Sequence, residues 1–374
     1  MTEWFEKRLD EIAEFNPRES LSKGSIAKKI SMDKLQPFCR DVPEFELEPY
    51  SGGTKFRNGD TIMARITPCL ENGKTAKVSV LEDGEVGFGS TEYIVFRAKD
   101  GCDPDFLYYL VTSPIVRGPA IKSMVGSSGR QRVQTDVLQT LLVKVPDLEE
   151  QKSISGILKS LDEKIAINRA INDNLQQQVY ALFDSWFVSF DQTDGKMPAD
   201  WREGTLGEIA TITSGKRPPM KQPTATTEVS IPLVGAASIM GFTNAVLYNE
   251  PILVTGRVGT HGVVQRYQSP CWTSDNTLVI KSEFYEYAFQ ALQRVDYVNM
   301  NRGSTQPLIT QTDLKNVSIV IPTEAILLEY EKIAGTLMAM YESNRKENER
   351  LAVLRNTLLP RLMNGEIDVS NIEI

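Results

Sequence analysis

The chain has 374 residues, of which 41% are hydrophobic, and it carries a formal net charge of −8. This length suffices for two domains with connecting elements, and the hydrophobic content excludes a disordered chain. No apolar run is long enough to cross a membrane, no signal peptide opens the chain and the four cysteines form no CxxC pair, so we expect a cytoplasmic protein with free thiols.

Residues 1–147 are expected to form one small domain of mixed structure. A turn at Gly59-Asp60 precedes a predicted strand, and β-branched runs predict further strands over 91–96 and 141–145. Residues 103–116 are predicted to form a helix. Short strands with one internal helix favour a small α+β domain.

A long helix is predicted over 148–190. Its seam positions recur every seven residues at Ile154, Leu161, Asn168, Leu175 and Leu182, and the intermediate positions are Ile157, Lys164, Ile171 and Gln178. A sustained period of 3.5 residues predicts a coiled coil, in which a buried asparagine fixes register. About 35 residues at about 1.5 Å each give a rod of roughly 50 Å, or roughly 15 base pairs of duplex DNA. Two ordinary amphipathic helices on separate cores are the alternative.

Residues 191–324 are expected to form a second domain of the same class, followed by a second helix and a tail over 325–374. Strands are predicted over 252–254, 277–280 and 317–321, and a helix over 285–293. The second seam consists of Tyr330, Leu337, Asn344, Leu351 and Leu358, with Ile333, Met340, Glu347 and Leu354 at the intermediate positions. Pro360 and Gly365 are predicted stop signals, and residues 366–369 are expected to pack back as a strand or edge segment.

The second half of the chain repeats the first. Asn344-Arg345 in the second copy corresponds to Asn168-Arg169 in the first at an offset of 176 positions, whereas Trp201 corresponds to Trp4 at an offset of 197. Gln311-Thr312-Asp313 corresponds to Gln134-Thr135-Asp136 at an offset of 177. The globular parts therefore differ by about 21 residues, while the helices keep one length. This pattern predicts a duplicated module with an internal pseudo-two-fold repeat, in which two recognition domains are joined by two antiparallel helices. The alternative is an old duplication whose loops drifted without function.

Candidate DNA contacts lie in matching loops of the two globular parts. Glycine lets a backbone approach DNA closely, Ser and Thr bind phosphate, Arg pairs with guanine and Gln with adenine. A flexible solvated loop is the alternative for each segment. The candidates in the first domain are Arg65, Thr67, Lys74, Ser127, Ser128, Arg130, Gln131 and Arg132. The candidates in the second domain are Lys216, Arg257, Thr260, His261, Arg302, Ser304, Thr305 and Gln306.

Catalytic chemistry is not expected from this chain alone. His261 is the single histidine, which excludes an HExxH site and leaves little scope for a Ser-His-Asp triad. No phosphate-binding glycine loop and no Asn-Pro-Pro-aromatic loop of an amino-methyltransferase is found, so we expect no cofactor and no metal. The net charge of −8 argues weakly against nucleic acid, but the local field at a contact surface matters more than the total.

Several short motifs occur in a characteristic order. They are the two Trp…Leu-x-Glu-Ile openings, Gly59-Asp60…Ala64-Arg65…Gly73-Lys74, Pro146-x-x-x-x-Gln151, Asn168-Arg169 and the ending that starts at Leu358-Leu359-Pro360-Arg361. Together they resemble the specificity subunit of type I restriction–modification systems over nearly the whole chain.

This resemblance implies two target recognition domains, each binding one half of a split site in double-stranded DNA. It also implies two spacer helices that set the gap and dock two modification subunits. Those subunits carry S-adenosylmethionine and methylate adenine at N6, and restriction subunits join to cleave DNA with ATP. The chain itself would direct these activities without catalysing them.

The second copy departs from the family pattern at one place. Segment 256–262 has no preceding Gly-Asp and no lysine equivalent to Lys74, which puts a phosphate contact there in doubt. A second hypothesis is a coiled-coil adaptor that joins two protein-binding domains without touching DNA. A third, a solitary DNA methyltransferase, is disfavoured because no cofactor or catalytic loop is visible.

Overall fold

The computed structural model describes residues 3–127, 129–260, 262–300 and 308–369. The chain divides into two compact units. Unit 1 comprises Met1–Arg169 and Arg345–Ile374, and unit 2 comprises Ala170–Asn344. Each unit therefore holds one globular part and a portion of each long helix. No helix among the described residues is long and apolar enough to cross a membrane.

The globular part of unit 1 is built from short strands and four short helices, and it leads into the first long helix. In chain order the elements are β1 (Phe5–Arg8), α1 (Leu9–Ile12), β2 (Ala13–Phe15), β3 (Ile26–Ile30), β4 (Glu46–Pro49), β5 (Thr54–Phe56), β6 (Thr61–Ala64), β7 (Thr75–Lys77), β8 (Gly87–Gly89), β9 (Tyr93–Ala98), α2 (Pro104–Thr112), α3 (Pro114–Lys122), α4 (Thr135–Gln139), β10 (Leu142–Val145) and α5 (Leu148–Phe187).

The strands of unit 1 form two four-stranded sheets and one two-stranded sheet. One sheet has the order β2-β9-β6-β7, the other has the order β4-β3-β8-β5, and β1 pairs with β10. Strand β6 is buried along its whole length, and Phe96, Phe106 and Leu110 lie in the core beside it with no exposed surface. The first sheet therefore places the end of β6, at Arg65, on a rigid support.

The helix predicted over 103–116 is two helices that meet at Ser113. Pro114 lacks a backbone N–H and disfavours helical backbone at the residue before it, and Ser113 has ψ of 160°. The Ser113 hydroxyl accepts a hydrogen bond from the Ile115 N–H at 3.2 Å and so caps α3. The prediction of a single helix was wrong because Pro114 starts a new helix.

Unit 2 repeats this order of elements after a short 3₁₀ turn at Asp191–Thr193. Its elements are β11 (Arg202–Thr205), α6 (Leu206–Ile209), β12 (Thr211–Ser214), β13 (Ile231–Val234), β14 (Ile239–Thr243), β15 (Ile252–Gly256), β16 (Gln265–Tyr267), β17 (Trp272–Thr273), β18 (Thr277–Lys281), α7 (Tyr285–Gln293), α8 (Tyr297–Met300), α9 (Gln311–Lys315), β19 (Ser318–Ile321) and α10 (Glu324–Met363).

The sheets of unit 2 match those of unit 1 in strand order, with one strand fewer. The order β12-β18-β15-β16 repeats β2-β9-β6-β7, and β11 pairs with β19 as β1 pairs with β10. The second sheet has three strands, β14-β13-β17, and lacks a counterpart of β5. The expected α+β fold with an internal repeat is confirmed, as are the strands over 252–254 and 277–280 and the helix over 285–293.

The domain-opening motif Leu-x-Glu-Ile has a structural cause. The Glu208 carboxylate accepts a hydrogen bond from the Thr205 N–H at 2.7 Å, and Glu11 accepts one from the Arg8 N–H. Each glutamate thus caps a one-turn helix whose leucine, Leu9 or Leu206, is fully buried. The motif therefore joins the first strand of each domain to its core.

The long helices α5 and α10 have 40 residues each, and they pair antiparallel within each unit. In unit 1 the Asn168 Nδ2 donates to the Asn348 Oδ1 at 2.9 Å, and the buried Asp162 pairs with Arg355. In unit 2 the Asn344 Nδ2 donates to the Asn172 Oδ1 at 3.0 Å. Rising numbers on α5 thus meet falling numbers on α10, as an antiparallel pair requires.

The predicted seam residues point inward, but the expected intermediate positions were wrong. Ile154, Asn168 and Leu175 are buried, and Leu161, Leu182, Leu337, Asn344, Leu351 and Leu358 are half-buried. The second inward row lies four residues after each of these rather than three, as shown by the burial of Leu158, Ile165, Asn172, Val179, Ala334 and Arg355. The exposed residues of the expected intermediate row are Lys164, Ile171, Gln178, Ile333, Met340 and Leu354.

The end of α10 also differs from the prediction. Pro360 lies within the helix, which continues to Met363, and Gly365 ends it with φ of 70°. The Glu366 N–H donates to the Arg361 carbonyl at 2.9 Å across this turn. Residues 366–369 form no strand, but Ile367 and Val369 pack on the core of unit 1.

Candidate nucleic-acid interface

In unit 1 the candidate interface is built around Arg65, the first residue after β6. The Arg65 N–H donates to the Glu92 carbonyl at 2.9 Å, and the Val133 N–H donates to the Arg65 carbonyl at 2.9 Å. Arg65 is therefore held between the turn that precedes β9 and the segment that follows the glycine-rich loop. These hydrogen bonds bring together three segments that are far apart in the sequence.

The glycine-rich loop of unit 1 is a small hairpin with a fixed base. Val125 and Arg132 exchange two backbone hydrogen bonds of 3.0 and 2.9 Å. The Thr67 N–H and Oγ1 both donate to the Gln131 carbonyl, at 3.0 and 3.3 Å. Gly126 and Gly129 have φ of 134° and 77°, a backbone region that favours glycine. The base of the loop is therefore fixed by main-chain pairing.

The positive side chains of unit 1 have different partners. Arg132 donates to both carboxylate oxygens of Glu92 over 2.6 to 3.0 Å, and these hydrogen bonds lower the pKa of Glu92. The Lys74 Nζ donates to the Met32 carbonyl at 2.8 Å, and the Arg65 Nη2 donates to the Val133 carbonyl at 3.3 Å. Arg130 is exposed and has no side-chain partner among the described residues.

The remaining predicted residues of this loop are near Arg130. Ser127 is exposed, and its carbonyl accepts the Arg130 N–H at 3.0 Å. Gln131 and Thr67 are half-buried. Of the predicted residues in this domain, the structure brings together Arg65, Thr67, Lys74, Gln131 and Arg132 at one end of the sheet, through the pairing of Ile66 with Arg132 and of Ala64 with Lys74.

Arg257 occupies in unit 2 the place that Arg65 occupies in unit 1. The Arg257 N–H donates to the Asn276 carbonyl at 2.8 Å, and the Ile309 N–H donates to the Arg257 carbonyl at 3.0 Å. Val258 bridges to Leu308 as Ile66 bridges to Arg132. The two domains therefore share one backbone arrangement at the end of the central strand.

The side chains around Arg257 differ from those around Arg65. Asn276 stands where unit 1 has Glu92, and Leu308 stands where it has Arg132, so these two side chains cannot form the ion pair of unit 1. Thr260 is exposed, and its carbonyl lies so close to Gly256 that a Cβ there would be 1.8 Å from it. Only glycine at position 256 therefore leaves room for the Thr260 carbonyl.

Lys216 lies in a separate loop of unit 2. Its side chain is exposed, while its N–H donates to the Thr273 carbonyl at 2.9 Å and its carbonyl accepts the Trp272 Nε1 at 2.8 Å. The backbone of this loop is thus fixed at Lys216, while its side chain extends to the surface. The predicted contacts Ser128, His261, Arg302, Ser304, Thr305 and Gln306 lie outside the described residues.

Sequence comparison of the two halves misplaced one part of the repeat. Hydrogen-bond registers align Ala64 with Gly256, Tyr93 with Thr277 and Val133 with Ile309, at offsets of 192, 184 and 176. The Gln-Thr-Asp triplets are out of register by one residue, because Gln134 precedes α4 whereas Gln311 begins α9. Glu92 and Asn276 were missed, and their only signal is a polar residue just before a buried β-strand.

A model of the type I restriction modification DNA specificity domain matches this chain twice, over residues 1–177 and 198–356. The MjaIX specificity subunit of Methanocaldococcus jannaschii, from a type I restriction enzyme, is 23% identical over 73% of this chain and 71% of its own length. The HindI specificity subunit of Haemophilus influenzae is 23% identical over 83% of this chain and 87% of its own.

Two further relatives bear on one half of the chain and on the fold. The EcoAI specificity subunit of Escherichia coli is 33% identical over 49% of this chain and 31% of its own length. The crystal structure of a type I restriction–modification system S subunit from M. genitalium has a TM-score of 0.58 over 96% of each chain at 17% identity, which shows a similar fold. Because the family model covers most of both halves, the chain belongs to the type I restriction–modification DNA specificity family.

Proposed function

We propose that this chain is the specificity subunit of a type I restriction–modification complex and that it binds a bipartite site in double-stranded DNA. The recognition domains are residues 1–147 and 191–324, and each binds one half of the site. The observation that carries this proposal is the shared arrangement at Arg65 and Arg257, where an arginine follows the central strand of each domain in the same hydrogen-bond register. Family membership favours this function over a coiled-coil adaptor.

The local distribution of charge is compatible with DNA binding despite the net charge of −8. Many acidic side chains lie on the long helices, whereas Arg130, Lys216 and Arg257 lie in loops of the globular parts. Phosphate contacts depend on the local field, and each contact makes the logarithm of affinity fall by about 0.9 per logarithm of salt. A steep salt dependence is therefore expected of the complex.

The spacer segments 148–190 and 325–374 are proposed to set the gap between half-sites and to dock two modification subunits. Several large apolar side chains of the helices are exposed, which supports a partner surface there. They are Ile167, Val353 and Leu354 in unit 1, and Ile171, Leu328, Ile333 and Met340 in unit 2. S-adenosylmethionine, ATP and the catalytic residues for adenine-N6 methylation and DNA cleavage belong to the modification and restriction subunits in this proposal.

Co-purification of the chain with the modification subunit of its source, followed by methylation mapping, tests this function. The expected result is a split motif with adenine methylated in both halves. Arg130→Ala should relax the preference in one half only, and Arg257→Ala should relax it in the other half only, so each variant is the control for the other. A stable complex that methylates without sequence preference, or equal losses in both halves from either variant, would contradict the proposal.

A further inference from the structure

The ion pair between Glu92 and Arg132 is mounted on rigid backbone at both ends. The Glu92 N–H donates to the Ser90 Oγ at 3.1 Å, and the Glu92 carbonyl accepts the Arg65 N–H at 2.9 Å. Arg132 is fixed by its two hydrogen bonds to Val125. Most exposed ion pairs contribute little because two mobile side chains must be ordered, but a two-pronged arginine–carboxylate pair between fixed backbones loses less freedom.

Arg132 is thereby occupied, whereas the exposed Arg130 side chain has no partner within the described part of the chain. The Arg132 Nε and Nη2 both donate to Glu92, which takes up one edge of the guanidinium. The equivalent position in unit 2 is Leu308, a side chain that cannot form a hydrogen bond to a phosphate or a base edge. A DNA contact from this position is therefore not a shared feature of the two domains.

The position of the Glu92 carboxylate beside a loop that is proposed to contact DNA requires a physical explanation. An unpaired carboxylate beside the loop would repel phosphate groups. Arg132 neutralises it and links the base of the loop to the turn before β9, across 40 positions of sequence. Unit 2 has the neutral Asn276 at this point and Leu308 at the position of Arg132, so the same ion pair cannot form between these two positions.

We propose that Glu92 is a positioning residue of the first recognition domain, which holds Arg132 and so fixes the loop from which Arg130, and not Arg132, contacts DNA. This inference rests on the proposed function, since it assumes that the loop lies on the DNA. It assigns different roles to two arginines that are two residues apart. It also means that the two domains hold their loops by different means.

The test compares Glu92→Gln, Arg132→Gln and the charge-swapped double variant Glu92→Arg/Arg132→Glu in the complex with modification subunits. Methylation preference is measured separately at the two half-sites, and the second half-site serves as the folding control. We expect each single variant to lose roughly threefold to tenfold of the preference at the first half-site. The double variant should regain most of this loss, because it restores the pair with its signs reversed.

A direct DNA contact from Arg132 leads to opposite results. Glu92→Gln would then keep or increase affinity for the first half-site, because a repulsive charge is removed, and the charge-swapped variant would stay as defective as Arg132→Gln. Either result, or unchanged preference in all three variants, would overturn the inference alone. A wild-type complex without any bipartite preference would instead overturn the proposed function.

Discussion

Asn168 of α5 donates a hydrogen bond to Asn348 of α10 at 2.9 Å, and the repeat of this pair, Asn344 with Asn172, has a length of 3.0 Å. The two pairs lie on either side of the boundary between the units. The Asn168 Oδ1 is buried without a hydrogen-bond partner among the described residues. A buried amide of this kind costs stability but opposes a shift in helix register.

Replacement of both members of one pair should separate these two effects. Asn168→Leu alone leaves Asn348 without its donor, and we expect a loss of about 1–3 kcal/mol in the free energy of unfolding. Asn168→Leu/Asn348→Leu should recover this loss but permit other helix registers or oligomers. Urea unfolding and light scattering measure the two effects, with Asn344→Leu/Asn172→Leu as the matched pair. A double variant no more stable than the single one would contradict the expectation.

Asp162 and Arg355 form a buried ion pair between α5 and α10, and the Tyr109 hydroxyl donates to Asp162 at 2.8 Å. Asp162→Ala leaves a buried guanidinium without its counter-charge, which should cost about 3–5 kcal/mol. Asp162→Leu/Arg355→Met should be much less harmful, because neither charge remains. Thermal unfolding tests this, and Lys159→Ala, at an exposed pair, is the control. Equal losses in the single and double variants would show that side-chain shape decides the effect, not charge.

Glu331 of α10 should make the stability of unit 2 depend on pH. Its carboxylate accepts the N–H groups of Glu286 and Tyr287 at 3.0 and 2.8 Å, at the start of α7. Burial raises the pKa of Glu331 to about 7 despite these hydrogen bonds, and the nearby charges of Glu286 and Arg266 act in opposite directions. The pKa of Glu331 is higher in the folded state than in the unfolded state, so its protonation stabilises unit 2. This stabilisation is fully present below the unfolded pKa near 4.5 and is lost as pH rises through about 7.

Glu331→Gln should flatten the decline in stability between pH 4.5 and 7, which we expect to amount to roughly 1–3 kcal/mol after screening by solvent. Urea unfolding at several pH values measures this slope. Glu329→Gln, at an exposed position of the same helix, is the control and should leave the slope unchanged. The expectation fails if both variants retain the wild-type slope.

Lengthening both helices should widen the gap between half-sites. We propose to insert one heptad after Arg169 and one after Asn344, at the boundary between units, which keeps the helix phase of both inward rows. Seven residues add about 10 Å, or about three base pairs. Methylation mapping reads the gap directly. An insertion in one helix alone should destabilise the pair, and an unchanged gap in the doubly inserted variant would mean that the helices do not set it.

The repeat could be found from sequence because helix length and strand patterns are local properties. The offset of 176 between Asn168 and Asn344 is the offset between α5 and α10. The second inward row was assigned one position too early because apolar residues at Ile333, Met340 and Leu354 match a heptad better than Ala334, Tyr341 and Arg355 do. Arg355 is buried only because Asp162 meets it, and a partner 193 positions away leaves no local signal.

The candidate DNA contacts also depend on partners that are distant in sequence and leave no local signal. Arginine, serine and glycine in a loop indicate a surface that can approach DNA, and the structure places Arg130 at such a surface. The sequence could not tell Arg130 from Arg132, because the difference lies in Glu92, which reaches Arg132 only after β6 and β9 have paired. Side-chain availability is a property of tertiary structure.

The difference of about 21 residues between the two globular parts accumulates in the connections between strands, since the offset is 192 at β6 and β15, 184 at β9 and β18, and 176 at the two long helices. Loop changes in one domain therefore leave the supports of the other domain and of the helices intact. If the proposed function holds, the bases recognised and the distance between them are mutationally separable traits. A lineage of such proteins could acquire a new half-site through loop changes alone, and its partner subunits would encounter the same helices as before.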